Sequence, residues 1–221
     1  MAGLDSRIFS DRDEAGRQLA DRLAPYRGQD CVVLALPRGG VPVAVPVARM
    51  LGAPLDVLFV RKIGAPDYPE FAIGAVVDGD NPQVVMNEGM PSGFAAPDGY
   101  LKTEVPRLLQ EIDRRRQLYL GDRKPVPIAG KVAIVVDDGI ATGATIRAGL
   151  LGLARHNPAR IVVAVPVAPQ DALDRLQGVA DDIVCLRVPD QFRAVGLHYR
   201  DFAQVSDAEV VAALRDGSPD E

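Results

Sequence analysis

Short apolar runs recur along the chain at Cys31 to Leu36, Leu55 to Val60, Val132 to Val136, Ile161 to Val165 and Ile183 to Val188. Their apolar positions run on rather than alternate, as strands buried on both faces require. Helical patterns fill the gaps. Ser10 or Asp11 can cap a first helix in which Ala15, Leu19 and Leu23 share a face and which Pro25 and Gly28 end. Between Pro42 and Leu51 a second helix is predicted, with Pro46 marking its first turn or a kink. Ser206 and Glu209 form a capping box for a last helix through Val210, Val211 and Leu214. Strand and helix in alternation predict an α/β fold with a parallel, doubly wound sheet.

One stretch breaks the series. From Asp98 to Arg116, Leu101, Val105, Leu108 and Ile112 keep a helical spacing in a charged background, which predicts an amphipathic helix. Residues 79–130 therefore read as an insertion in a single domain, bounded by Gly79-Asp80-Asn81-Pro82 and Pro125-Val126-Pro127. Its basic cluster, Arg114-Arg115-Arg116 with Arg123 and Lys124, is matched by nearby acids and reads as a solvated helix face. A phosphate-facing role or a contact within a homo-oligomer is the alternative.

With 221 residues, the chain exceeds one average domain and falls short of two. A hydrophobic content of 48% with 25% charged residues is that of an ordinary globule and excludes disorder. No apolar run reaches the roughly 18 residues of a membrane span. The stretch from Met1 to Asp13 lacks the apolar core of a secretory signal, so a cytoplasmic location is expected. A net charge of −5 argues against a main task of coating nucleic acid. Cys31 and Cys185 sit in apolar runs outside any metal spacing and read as buried thiols; His156 and His198 are too far apart to complete a zinc site with them.

The chemistry concentrates in Val132 to Thr145, where a buried strand runs into Asp137 and Asp138, then a Gly- and Thr-rich turn, then a helix. Adjacent carboxylates at the end of a central strand repel unless hydroxyls or a cation meet them. That edge is where open α/β sheets bind ligands. Gly139 and Gly143 let backbone amides approach a ligand, and Thr142 and Thr145 add hydroxyls where a helix N-terminus favours phosphate. The composite reads as a sugar-phosphate site. A Walker loop is excluded because only three residues separate the glycines and Ala144 stands where its lysine belongs; no GxGxxG is present.

This stretch resembles the signature of the type I phosphoribosyltransferases, an apolar strand followed by two acidic residues and a T-G-x-T loop. Within that family the chain is most similar to stand-alone, uncharacterised bacterial members with an L-P-R-G-G loop and a P-E-F-A-I-G-A-V segment. The resemblance implies that fold, with an insertion and a small C-terminal hood at 188–205. It also implies that Asp137 and Asp138 contact the ribose hydroxyls of phosphoribosyl pyrophosphate, and that Ile140, Ala141, Thr142, Gly143, Ala144 and Thr145 hold its 5′-phosphate. Arg38, Gly39 and Gly40 stand in the place of the family's pyrophosphate loop, where paired glycines and a guanidinium suit phosphate oxygens.

Arg61 to Phe71, punctuated by Gly64, Pro66 and Pro69, resembles the family's mobile loop. There Arg61 and Lys62 would neutralise the leaving pyrophosphate, with a solvated charge pair as the plainer alternative. Glu70 is a candidate for metal or substrate contact beside its reading as a surface carboxylate. Near the C-terminus, Val188 to Phe202 resembles the hood of the purine enzymes, so Phe192 would stack on the acceptor, or else pack in the core, with His198 and Tyr199 shaping the pocket. His198 stands where those enzymes carry an acid, and Val165-Pro166-Val167 lacks their lysine for a 6-oxo group, so purine specificity is not expected.

The implied reaction is magnesium-dependent transfer of a phosphoribosyl group to a small nitrogenous acceptor, whose proton goes to Asp138 or to an ordered water. The competing readings are a ligand-sensing regulator that keeps the site without transfer, and a hydrolase or phosphorylase of nucleotide compounds.

Overall fold

The computed structural model describes residues 8–79, 82–86, 97 and 99–217, with the side chains of Pro69 and Glu70 outside that description. A first helix, α1 (Arg12–Arg22), starts at Asp11, whose side chain accepts from the Glu14 amide. It leads to strand β1 (Cys31–Ala35), helix α2 (Gly40–Leu51) and strand β2 (Leu55–Val57). After a long excursion come β6 (Val132–Val136), α4 (Ala144–Ala154), β7 (Arg160–Val167), α5 (Gln170–Asp174), β8 (Asp182–Arg187) and α6 (Asp207–Asp216). The five strands form one sheet in the order β2-β1-β6-β7-β8, and every pairing is parallel.

The continuous apolar runs are explained by two cores, one on each side of this sheet. Val33, Ala35, Ile134, Val136 and Val162 face one core with Leu19 and Leu23 of the α1 segment, Val43 and Val47 of α2 and Leu214 of α6. Their sequence neighbours Val32, Leu34, Val135 and Val163 face the other, with Ile146, Leu150 and Leu153 of α4 and Leu173 and Leu176 near α5. Alternate residues thus enter opposite cores, and both faces stay dry. Pro46 lies inside α2, and the capping box at Ser206 and Glu209 is formed. Cys31 is buried, Cys185 half-buried, and both are free thiols.

The excursion differs from the expectation. The run Leu55 to Val60 is not one strand: the chain leaves the parallel sheet after Val57 and starts a second, antiparallel sheet at Val60. That sheet comprises β3 (Val60–Ala65), β4 (Tyr68–Val77) and β5 (Gln83–Met86). The segment Arg61 to Phe71, expected as a mobile loop, is therefore most of a hairpin, with a register shift around Gly64. Ile63 and Ala65 are buried while Lys62 is exposed, so this strand has a wet face, and alternation replaces a continuous run.

Helix α3 (Tyr100–Leu120) follows; the expected start at Asp98 lies outside the described residues. It buries Leu108, Ile112 and Tyr119, and the Tyr119 ring stacks 5.9 Å from Phe59. The basic cluster is not wholly solvated. Arg116 turns inward and pairs with Asp78 at 2.6 Å and Asp56 at 3.0 Å, two acids only 5% and 3% exposed. No helix among the described residues is long and apolar enough to cross a membrane.

Candidate active site

From β1 the chain crosses outward to β2, whereas from β6 it crosses the other way to β7 and β8. The carboxyl ends of β1 and β6 therefore flank the point where the winding reverses, and a crevice opens there. Arg38-Gly39-Gly40 leaves β1 at this crevice and Asp137-Asp138 leaves β6. The two turns are in contact. A Cβ on Gly39 would lie 2.5 Å from the carboxyl carbon of Asp138, and one on Gly40 2.6 Å from the Val136 carbonyl oxygen. Only residues without side chains allow this approach. Arg38 lies at the cleft with its guanidinium 3.8 Å from Asp207 of α6.

Both carboxylates are poised by their surroundings. Asp137 accepts from the Asp138 amide at 2.9 Å, and burial, then the neighbouring Asp138 charge, push its carboxyl well above the ordinary range. Burial raises Asp138 also, while the Arg12 guanidinium pulls it back down. Two acids held together in a partly dry crevice favour hydroxyl donors as their partners.

The loop from Ile140 to Thr145 turns away from β6 into α4. Ile140 is buried and its amide donates to Val167, which anchors the loop to β7. Gly143 takes a left-handed φ of 78° immediately before the helix, a conformation costly for other residues. The exposed Thr142, Ala144 and Thr145 surround this helix start, where backbone amides lack intrahelical partners. Arg175 braces the turn by donating to the Thr142 carbonyl at 2.9 Å.

The two cations of β3 separate. Lys62 lines a cavity of ≈ 230 Å³ with Thr142, Gly143, Thr145, Arg147 and Arg175, so it lies on the side of the Ile140 to Thr145 loop. Its neighbour Arg61 leaves the other face of the strand and meets Glu111 of α3 at 3.0 Å. The structure thus does not bring these residues together, because adjacent strand positions face opposite ways. The side chain of Glu70 lies outside the described residues.

In the hood, Phe192 stacks on His198 with centroids 5.7 Å apart and planes 11° apart. Its ring also lines an open cleft with Pro169, Pro189 and Asp190. His198 is half-buried, and burial followed by the Arg187 charge lowers its imidazole below the usual range. Tyr199 is placed differently from Phe192. It is buried between Phe9 and Phe202, and its hydroxyl donates to the Asp138 backbone carbonyl at 2.6 Å. It supports the acidic turn from beneath.

Sequence reasoning missed Arg12, which reaches Asp138 from 126 positions away in the chain. It also missed the buried acids Asp56 and Asp78. A signal for Arg116 was present, since it follows Leu108 and Ile112 at four-residue intervals on the apolar face of α3.

Comparison with known proteins agrees with this geometry. The chain is 47% identical over 208 residues to the Mycobacterium tuberculosis protein Rv0571c, which carries a provisional phosphoribosyl transferase name. That match covers 94% of this chain and 46% of the relative, so the chain spans about half the length of the curated relatives it matches. The crystal structure of TT1426 from Thermus thermophilus is 44% identical and superposes with a TM-score of 0.82, covering 96% of this chain and 100% of that one. The family profile for the phosphoribosyl transferase domain matches residues 11–201, from the start of α1 into the hood, and the chain therefore belongs to that family.

Proposed function

We propose that the chain transfers the phosphoribosyl group of phosphoribosyl pyrophosphate to a small nitrogenous acceptor and releases pyrophosphate. The observation that carries this reading is the contact between the Arg38-Gly39-Gly40 turn and the Asp137-Asp138 turn at the winding reversal, with the Ile140 to Thr145 loop alongside. A ribose held by Asp137 and Asp138 would place its 5′-phosphate on that loop and its pyrophosphate towards Arg38. Lys62 then serves the 5′-phosphate side, and Arg61, engaged by Glu111, takes no part.

The bond from the anomeric carbon to pyrophosphate oxygen breaks as the bond to acceptor nitrogen forms. Positive character grows on the sugar and negative charge on the leaving group, as in glycoside transfer. No protein nucleophile is needed, because positioning and electrostatics supply the acceleration. The acceptor proton passes to Asp138 or water. Among the described residues no three His, Cys, Asp or Glu side chains converge as a metal cage. Magnesium would ride on pyrophosphate oxygens and water, where it would neutralise the leaving group.

Incubation with phosphoribosyl pyrophosphate, magnesium and a panel of bases and amines should release pyrophosphate with at least one acceptor. Changing Asp137 and Asp138 together to Asn should weaken phosphoribosyl pyrophosphate binding about tenfold or more by calorimetry, since charge-assisted hydrogen bonds are lost. Unchanged affinity in a folded double variant would remove the reading.

In this reading the acceptor lies against the open face of Phe192, whose other face is taken by His198. The end of β7 is buried Val165 and Val167 with no lysine, and His198 is mostly uncharged at neutral pH. Hypoxanthine and guanine should therefore be poor acceptors. Phe192→Ala should lower transfer to the true acceptor by up to about tenfold, the scale of a lost stacking contact, and leave phosphoribosyl pyrophosphate affinity nearly intact. Efficient turnover of hypoxanthine by the unaltered protein would refute this assignment.

A further inference from the structure

Arg12 occupies a position that helix energetics disfavour. It is the first residue of α1, where the exposed amides carry partial positive charge and acids such as Asp13 and Glu14 are the favourable occupants. A guanidinium there needs compensation from elsewhere in the fold. The side chain is only 11% exposed and has three partners. Its Nε donates to Asp138 Oδ2 at 2.8 Å, its Nη1 donates to the Ala203 carbonyl at 2.8 Å, and its planar end lies 3.9 Å above the centroid of the Phe202 ring. One residue thus joins the N-terminal helix, the second carboxylate of the crevice and the hood. Arg12, Arg38, Gly39, Asp138 and Phe202 line the same cleft.

We propose that Arg12 is a positioning residue for phosphoribosyl transfer, fixing the orientation of the Asp138 carboxylate towards the ribose and tying the hood to that carboxylate through Phe202 and Ala203. The inference rests on the function proposed above. Its geometry follows from the crowding at Asp138. Gly39 closes one side of the carboxyl group, Tyr199 holds the backbone carbonyl beneath it, and Arg12 takes Oδ2, so the group has little freedom to rotate. The charged and titratable groups around it are Asp137 beside it in the chain, Arg12 from α1, Tyr199 from the hood and Arg38 across the cleft. Of these, Arg12 is the cation in direct contact, and it opposes the burial that favours the protonated acid. The aromatic face of Phe202 supports the guanidinium, which a lysine ammonium would use less well than the planar fork.

The sign of the expected pH effect follows. Without Arg12, Asp138 takes up its proton at higher pH, and a protonated acid is a weaker acceptor for a ribose hydroxyl. In Arg12→Gln, the acid limb of phosphoribosyl pyrophosphate affinity should move up by about one pH unit, the scale of losing one close opposite charge. Affinity on the acid side of that limb should fall about tenfold, and Arg12→Lys should recover part of both effects.

The experiment is calorimetric titration of the unaltered protein, Arg12→Gln and Arg12→Lys with magnesium phosphoribosyl pyrophosphate across pH 5 to 8, beside carbon-13 NMR of the Asp138 carboxyl in the ligand-free proteins. Melting curves and circular dichroism establish that each variant is folded. An acid limb and an Asp138 titration that both move up in Arg12→Gln, with partial recovery in Arg12→Lys, support the proposal. An unmoved Asp138 titration, or an unmoved acid limb in a folded Arg12→Gln, overturns it, whatever happens to the melting temperature. If the unaltered protein fails to bind phosphoribosyl pyrophosphate, both the proposed function and the role of Arg12 in transfer fall. If it binds normally and only the Arg12 variants fail to show the shift, the function stands and the positioning role falls.

Discussion

Gly39→Ala should weaken phosphoribosyl pyrophosphate binding by one to two orders of magnitude, about 1.4–2.8 kcal/mol, while the protein stays folded. The backbone of Gly39 has φ −60° and ψ −33°, which alanine adopts without strain. The difficulty is the added Cβ, which would lie 2.5 Å from the carboxyl carbon of Asp138. That carboxyl group can yield only by giving up its bond to Arg12 and turning out of the crevice. The consequence is a local loss of the proposed ribose contact. Gly40→Ala makes the contrasting case, because its Cβ would meet the Val136 carbonyl oxygen at 2.6 Å and the Asp137 Cα at 3.0 Å. Backbone cannot rotate away, so the end of β6 must shift, and a clear fall in melting temperature should accompany the lost affinity. Calorimetry on both variants checks the pair of outcomes; Gly39→Ala binding like the unaltered protein would show that Asp138 is not where the ribose sits.

The same two turns show what was legible in the sequence. Both follow strands whose every residue is buried, and a buried parallel strand leaves an unbroken apolar run that ends abruptly at its functional turn. Asp137, Asp138, Gly139 and the loop to Thr145 could be placed because their chemistry is contiguous with that strand. The hairpin of β3 and β4 could not be read this way. Its wet face carries Lys62, its register shifts at Gly64, and Pro66 with Asp67 punctuates it, so local signals favour a loop while pairing with distant residues makes a sheet. Tyr199 was placed in the hood by its neighbours in sequence, yet the direction of its hydroxyl depends on Asp138, 61 positions away. Arg12 and Asp138 are a pair of the same kind. Long-range side-chain pairing leaves no period in the chain, and only the fold reveals it.

Arg116→Ala is expected to be the most destabilising single change, because it leaves two buried acids without their cation. Arg116 donates to Asp78 Oδ2 at 2.6 Å and to both oxygens of Asp56 at 3.1 and 3.0 Å. Asp56 also accepts from the Val57 amide at 2.7 Å and the Val126 amide at 2.8 Å, so it ties α3 and the segment returning to β6 onto the edge strand β2. Breaking a buried pair from one side costs about 3–5 kcal/mol, which for a domain of this size lowers the melting temperature by roughly 6–20 °C. The pH dependence distinguishes this cause from loss of packing. Burial already raises the Asp78 carboxyl above its ordinary value, with Arg116 opposing it. A folded-state value above the unfolded one means that stability is present at low pH and is lost as pH rises through the folded value. Removing Arg116 pushes Asp78 higher still, so the deficit of Arg116→Ala should be greatest near neutrality and should narrow as pH falls towards 5. Combining Arg116→Met with Asp56→Asn and Asp78→Asn should recover part of the loss at neutral pH, since the unpaired charges are gone. Denaturant melts at pH 5 and 7 read both effects. A deficit independent of pH and unrelieved by the Asn changes would mean that Arg116 acts by filling space.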